Sequence, residues 1–420
     1  MPTPILFDAV IFDLDGTLVA TGGFWVAAAR AGARRAFDEL GLDRELPGAE
    51  AWLSMVGFPL ALGFERVFPD LTPAQRALVM ERCVEEEEQA VRGGQAALMP
   101  GARDALVELK RRGLKLGIAS NCAQGYLTRM QEELRLGELV DAARCLDSPR
   151  VHTKSDMVRD LLELFGTRSA VMVGDRSPDS EAAHANGLPH VHLAQGLAAK
   201  DEAIEFEASL DDLAGLIPLL ERRATWIESA LTRVRVLDAS GRRLSAATLG
   251  ITGRAAAGKS LFARDVARLL RGRGLACSVV ALDDYLIGSA AEADAAPLAH
   301  VQAAFDLDGL IETVIQPHRR GEPVVTRTGE LLPGDGLLIV QGLFLMHPRL
   351  RAALERVIAL EADEALLLRR LAAREASPEL LMRARRTFLP VQRAFDEAFP
   401  PAQRADLVLP AENPLGLPAA

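Results

Sequence analysis

The 420-residue chain is expected to be an α/β protein with two doubly wound parallel-sheet domains, the first carrying a helical cap insert. Three observations predict this. Apolar runs of strand length alternate with helical apolar spacing along most of the chain, the pattern of strands covered on both faces by crossover helices. The length suffices for two or three domains, each with its own core. Two short motifs, Asp13-Leu14-Asp15-Gly16-Thr17 and Gly253 to Ser260, each close an apolar run, where an open parallel sheet presents its ligand-facing edge.

In the first part, Ala9–Phe12, Leu114–Ala119, Ala170–Val173 and the weaker His190–Leu193 read as strands. Residues 20–97 carry helical spacing broken by Pro47, Pro59, Pro69 and Pro73, which predicts a separate helical subdomain. The run Glu85 to Glu88 reads as a solvated helix face. Leu210–Trp226 is expected to be a helix, and Val234–Leu237 with Asp238 to Gly241 a short strand and turn. These place one domain at 1–215, a linker at 216–245 and a second domain at 246–420. The second strand series is Thr248–Thr252, Ser278–Leu282, Leu337–Val340, Val357–Leu360 and Leu407–Leu409.

A composition of 49% hydrophobic and 25% charged residues is that of a globular protein. The net charge of −10 argues against a nucleic-acid partner, which calls for a basic stripe. No apolar run reaches the ~18 residues needed to span a bilayer, so no membrane role is expected. Cys83, Cys122, Cys145 and Cys277 are scattered and suit small buried hydrophobes in a reducing compartment, without zinc. Met1-Pro-Thr-Pro lacks a charged leader region, and the expected location is the cytoplasm. Self-association is left open.

Asp13 and Asp15 fall just past a strand end, where carboxylates can hold Mg²⁺ against a substrate phosphate. Three later segments strengthen that reading. Ser120 and Asn121 end a strand and offer a hydroxyl and an amide to a phosphate oxygen. Lys154 supplies a neutralising cation, and Asp175 and Asp179 close the strand Ala170–Val173 with further metal-binding carboxylates. Residues 5–215 thereby resemble the haloacid dehalogenase superfamily of phosphatases: Phe12 to Leu18 matches its first motif, Gly117 to Asn121 its second, Lys154 its third, and Gly174 to Asp179 its fourth. The resemblance implies that Asp13 is the nucleophile, forming an aspartyl-phosphate. Asp15 is then the general acid and base. Thr17, Ser120 and Asn121 bind phosphate, and Asp13, Asp15, Asp175 and Asp179 bind Mg²⁺. The insert is similar to that family's helical cap, and the substrate is expected to be a small phosphorylated metabolite.

The run Gly253, Arg254, Ala255, Ala256, Ala257, Gly258, Lys259, Ser260 has full phosphate-loop spacing between a strand and the amphipathic helix Leu261–Arg271. Backbone N–H groups would wrap the phosphates of ATP, Lys259 would reach its terminal phosphoryl groups, and Ser260 would bind Mg²⁺. Residues 246–410 resemble the uridine kinase and phosphoribulokinase group of P-loop kinases. Leu282-Asp283-Asp284-Tyr285 is similar to the group's catalytic-aspartate segment, which nominates Asp283 as base. Phe305 to Ile311 and Gly321 to Val324 are similar to its acceptor region, and Arg370 and Arg374 to its triphosphate lid. The implied acceptor is a nucleoside or sugar. Two departures stand out: Gln341 where the group has Glu, and Val325 to Thr328 in place of a tyrosine-containing stretch.

The expectation for the whole chain is a bifunctional phosphatase and kinase. One alternative keeps the phosphatase and makes the second half a nucleotide sensor impaired in transfer. Another is a polynucleotide 3′-phosphatase and 5′-kinase, disfavoured by the acidic charge and the cap.

Overall fold

The structure is a computed structural model that describes residues 2–244, 247–287, 297–374, 377–411 and 415. Its contacts divide the chain into two compact units, Phe7–Leu220 and a second made of Glu221–Ala420 with the segment up to Leu6. The first domain had been expected to start at residue 1. Instead Leu6 is buried in the second unit's core and its carbonyl accepts from Arg264 at 3.3 Å, because an apolar side chain follows the core that covers it.

The first unit holds a six-stranded parallel sheet. Its strands are β1 (Ala9–Phe12), β2 (Lys115–Ala119), β3 (Ala142–Arg144), β4 (Ala170–Gly174), β5 (His190–Leu193) and β6 (Ala208–Leu210), in spatial order β3-β2-β1-β4-β5-β6. β1 is central, with Ala9 to Phe12 in register with Lys115 to Ile118 on one side and Ala170 to Val173 on the other. All four of its residues are buried, as a strand covered on both faces requires. The chain passes from β1 to β2 on one side and later to β4 on the other, so the end of β1 faces the crevice where such sheets bind ligands.

The insert leaves the sheet after β1 and returns before β2. Ala20 N–H donates to the Ala97 carbonyl at 2.9 Å, which closes its neck. Between them lie the helices Gly22–Leu40, Ala49–Ser54, Leu60–Val67 and Pro73–Arg92. They enclose a core of their own around Trp25, Phe37, Trp52, Phe64 and Phe68. The rings meet mostly edge to face, with Trp52 and Phe68 centroids 5.6 Å apart. The two long helices touch at Gly32, where a Cβ would stand 2.5 Å from the backbone of Arg82 and Cys83.

The second unit's parallel sheet is built from β7 (Thr248–Gly253), β8 (Cys277–Ala281), β11 (Leu337–Gln341), β12 (Arg356–Glu361) and β13 (Leu407–Pro410). A short antiparallel pair, β9 (Val324–Val325) and β10 (Leu331–Leu332), lies apart from it. The main order is β13-β12-β7-β11-β8, so β7 is again central. Both sheets are doubly wound and parallel, as the alternating pattern predicted. The expected helix Leu210–Trp226 instead runs Leu216–Arg233, because Leu210 closes β6 and Asp212 caps a short turn by accepting from Ala214 N–H at 2.9 Å. Residues 216–233 of the expected linker are therefore helical. Val234–Leu237 is not a strand: Arg235 takes φ 58° as the helix ends, and only Leu237 forms a bridge, to Arg243.

Among the described residues, no helix is long and apolar enough to cross a membrane. Gly32→Ala would gain up to ~1 kcal/mol of helix propensity, but the backbone contact costs more, about 1–3 kcal/mol of overpacking. The variant is expected to lower the unfolding free energy measured in urea, and a stabilised variant would refute the close helix approach.

Candidate functional site

β1 is still paired when its first functional group emerges: Asp13 N–H donates to the Val173 carbonyl at 2.9 Å. The chain then turns through Gly16 at φ 83°, where a Cβ would lie 2.4 Å from Asp175 Oδ2. Only glycine lets that turn pass beneath the second carboxylate. Asp175 follows β4, and its oxygens accept from Thr17 Oγ1 at 3.0 Å and from Leu197 N–H at 2.5 Å. Asp179 stands in the first turn of the helix Ser177–Ala185 and accepts from Arg176 N–H at 2.9 Å.

Lys154 arrives from another helix, Lys154–Phe165, which Thr153 and Asp156 begin with a reciprocal capping pair. As the first helical residue its charge opposes the helix dipole, which on its own is unfavourable. The buried ammonium is stabilised instead by donation to Asp13 Oδ1 at 2.6 Å and by Asp179 Oδ1 at 2.5 Å. Burial alone would lower its pKa, but the Asp13 and Asp179 charges hold it above the ordinary lysine value.

One oxygen each of Asp13, Asp175 and Asp179 lies within 4.8 Å of the others, all three side chains buried. Burial first, then repulsion from Asp179, pushes Asp13 well above the usual carboxylate range and Asp175 up to about 7. Asp13 Oδ2 is buried without a hydrogen-bond partner. Mutually repelling oxygens with an unsatisfied acceptor, and no sulfur or imidazole among them, fit Mg²⁺. Asp15, expected among the metal ligands, lies outside this cluster. Its Oδ1 accepts from Thr21 Oγ1 at 2.6 Å and Tyr126 OH at 2.5 Å, and burial raises its pKa despite those bonds.

Of the residues expected to bind phosphate, Ser120 is buried at the end of β2 with its N–H donating to the Arg144 carbonyl at 3.0 Å. Thr17 faces Asp175, and Asn121 Nδ2 donates to the Gly57 carbonyl of the cap at 2.9 Å. Arg176 ties the same cap segment down: Nη1 donates to the Val56 carbonyl at 2.5 Å and Nη2 to that of Ser54 at 3.1 Å. Its guanidinium lies 4.7 Å from the Phe58 ring and pairs with Glu202 at 2.8 Å.

Sequence reasoning missed Thr21, Tyr126, Arg176 and Glu87. The available signals were slight: Tyr126 is one of two tyrosines, and Arg176 sits inside the fourth motif. The Glu85 to Glu88 run is not simply a solvated face. Glu86 pairs with Arg35 at 2.7 Å and Glu88 with Arg129 at 2.6 Å. Burial, then the charge of Asp15, pushes the Glu87 carboxyl up to about 8. A helix that is acidic in sequence thus turns one carboxyl inward.

A central parallel strand ending in a buried carboxylate cluster, paired with one lysine beneath a helical cap, defines an acid-centred α/β hydrolase. Comparison with known proteins agrees. Residues 10–192 match the family model described as haloacid dehalogenase-like hydrolase. A phosphoglycolate phosphatase of Rhodospirillum rubrum is 30% identical over 216 residues, 50% of this chain and 88% of that protein. One from Pseudomonas putida is 28% identical over 261 residues, 58% of this chain and 89% of that protein. The chain belongs to the haloacid dehalogenase-like hydrolases.

The second sheet carries a loop at the matching position. It leaves β7 at Gly253, passes Ala256 at φ 63° and Gly258 at φ 89°, and enters the helix Lys259–Gly272. Ala255 N–H donates to Gln392 Oε1 at 2.7 Å, and Lys259 Nζ to the Arg254 carbonyl at 2.9 Å. Ser260 Oγ donates to Gln341 Oε1 at 3.3 Å, which brings loop and neighbouring strand end together. Arg254 pairs with Asp396 at 3.2 Å. Burial, opposed by Arg254, pushes that carboxyl up to about 6. A cavity of about 390 Å³ opens beside the loop, lined by Gly253, Arg254, Glu361, Arg393 and Asp396 among others.

Asp283 is exposed in the turn Leu282–Tyr285 that follows β8. Arg370 donates to the Ala411 carbonyl at 2.8 Å. The Arg374 side chain lies outside the described residues. Arg327, in the stretch that replaces the tyrosine-containing segment, donates its N–H to Tyr285 OH at 3.3 Å and approaches Asp306 at 4.0 Å. Arg327 thus stands between the turn at Tyr285 and the segment at Asp306.

Lys154→Met leaves Asp13 and Asp179 buried without their cation, which is expected to cost about 3–5 kcal/mol. Adding Asp179→Asn should restore part of that loss. Additive losses in denaturant titrations of the single and double variants would refute the ion-pair account.

Proposed function

We propose that the first unit hydrolyses phosphate monoesters of small metabolites through an aspartyl-phosphate. The observation that carries this reading is Lys154 held between Asp13 and Asp179, beside an Asp13 Oδ2 with no other partner. Asp13 attacks phosphorus, and Lys154 stabilises the nucleophile and the phosphoryl oxygens together. Asp15, its carboxyl positioned by Thr21 and Tyr126, protonates the leaving oxygen and then takes a proton from the water that releases phosphate. Ser120 and Asn121 contribute donors to the phosphate. Mg²⁺, held by Asp13, Asp175 and Asp179 when bound, would supply charge stabilisation at the phosphoryl group. The names of the relatives make phosphoglycolate one ester to assay.

Asp13→Asn keeps the shape and an acceptor for Lys154 but removes the nucleophile. The expected outcome is no detectable release of phosphate from 4-nitrophenyl phosphate with Mg²⁺, at an unchanged melting temperature. Turnover by the folded variant would end this assignment.

For the second unit we propose a nucleoside triphosphate site on Gly253 to Ser260, with phosphoryl transfer from ATP to a nucleoside or sugar hydroxyl. The loop joins a central parallel strand to a helix N-terminus, a setting suited to anions. In this reading Lys259 meets the terminal phosphates, Ser260 would hold Mg²⁺, Asp283 is the base, and Arg370 and Arg374 fold over the triphosphate. A second reading, a nucleotide sensor impaired in transfer, is favoured by Gln341, whose amide is hydrogen-bonded to Ser260 and carries no charge for a metal.

Both readings require Lys259→Ala to weaken binding of Mg-ATP in calorimetry by about tenfold or more. They part on transfer: the kinase phosphorylates a member of a nucleoside and sugar panel. The sensor transfers to none, and Gln341→Glu is expected to raise its activity. Undiminished binding by Lys259→Ala would refute both.

A further inference from the structure

Arg176 is 3% exposed, and each nitrogen of its guanidinium meets an acceptor. Nε donates to Glu202 at 2.8 Å, Nη1 to the Val56 carbonyl at 2.5 Å and Nη2 to the Ser54 carbonyl at 3.1 Å. Its Cζ lies 4.7 Å from the centre of the Phe58 ring. Glu202 also accepts from Ser177 N–H at 2.7 Å, so the carboxylate that pairs with the guanidinium is itself tied to the helix following Asp175. Gly57 completes the seat: its φ is 89°, and a Cβ there would stand 2.9 Å from Arg176 Cγ.

This seat suits a planar fork. A guanidinium can send donors to two cap carbonyls and a carboxylate while laying its face on a ring. An ammonium is a compact, strongly hydrated point charge and cannot do all of these at once. The same cap segment reaches the residues expected to bind phosphate, because the Gly57 carbonyl accepts from Asn121 Nδ2 at 2.9 Å. A side-chain amide nitrogen has two N–H donors, so this bond fixes the plane of the amide and leaves the second donor for a phosphate oxygen. Arg176 grips Val56 and Phe58, the residues on either side of Gly57. The placing of the Gly57 carbonyl, and with it the Asn121 amide, therefore depends on the guanidinium.

We propose that Arg176 is a positioning residue of the hydrolase site: its guanidinium fastens the cap segment 54–58 and, through the Gly57 carbonyl, orients the Asn121 amide toward the phosphate of the substrate. This rests on the phosphatase reading, with Asn121 as a phosphate donor.

The test assays the full chain with Mg²⁺ and 4-nitrophenyl phosphate. Arg176→Ala is expected to lower kcat/KM by about tenfold or more, the worth of a hydrogen bond to a charged group. A rise in KM should carry most of that loss, since the donor serves substrate and transition state alike. Arg176→Lys keeps the charge beside Glu202 and should lose nearly as much. Millimolar ethylguanidinium, which replaces the atoms removed from Arg176→Ala, should recover part of the activity, and ethylammonium should not. A substitution that only loosened the fold would not tell the two cations apart. Hydrogen exchange reads the fastening without turnover: segment 54–58 should exchange faster in Arg176→Ala and slow again with ethylguanidinium. Wild-type kcat/KM in Arg176→Lys, equal rescue by the two cations, or unchanged exchange in Arg176→Ala would overturn the proposal. Arg176→Lys decides, by kcat/KM and exchange, if the alanine variant does not fold. Absence of hydrolysis by the wild type would overturn the phosphatase reading, and the role in turnover with it, whatever the exchange shows.

Discussion

A single buried ammonium organises the first unit. Lys154 lies between Asp13 and Asp179, carboxylates that reach it from the end of β1 and from the first turn of the helix after β4. Without it three buried acids would face one another in a medium that screens charge poorly. With it the cluster still has three carboxyls to one ammonium, an oxygen-rich setting that could hold a divalent cation. The parallel pairing of β1 with β4, the turn at Gly16 and the capped start of the lysine's helix all bring these groups to one place.

The cap is a small folded body with its own aromatic core, and its attachment is chemical as well as topological. Asn121, which follows Ser120 at the end of β2, and Arg176, which follows Asp175, donate to carbonyls of the cap segment 54–57. The cap is therefore held by the same loops that carry the carboxylate cluster and its neighbours.

The second unit repeats the architectural logic with a different donor set. Its central strand also ends in a loop that enters a helix, but the loop carries glycines and one lysine where the first carries carboxylates. Part of that loop is already engaged by the chain's own groups: Gln392 accepts from Ala255 N–H, and Asp396 pairs with Arg254.

The residues alone determined the strand-helix alternation, the central strands and the carboxylate and glycine motifs at their ends, because each is written in a few consecutive positions. Strands β3 and β6 were not legible: three residues each, largely outside the buried core, they form no apolar run. Val234–Leu237 failed in the opposite sense, apolar because it fills a core and not because it pairs. Tyr126 lies 111 positions from the aspartate it contacts, and no local pattern announces such a pair. The inward turn of Glu87, the exclusion of Asp15 from the metal cluster and the cap contacts of Arg176 were decided only by tertiary structure. A side chain's charge state and partners depend on groups that folding brings near it, and those come from distant parts of the chain.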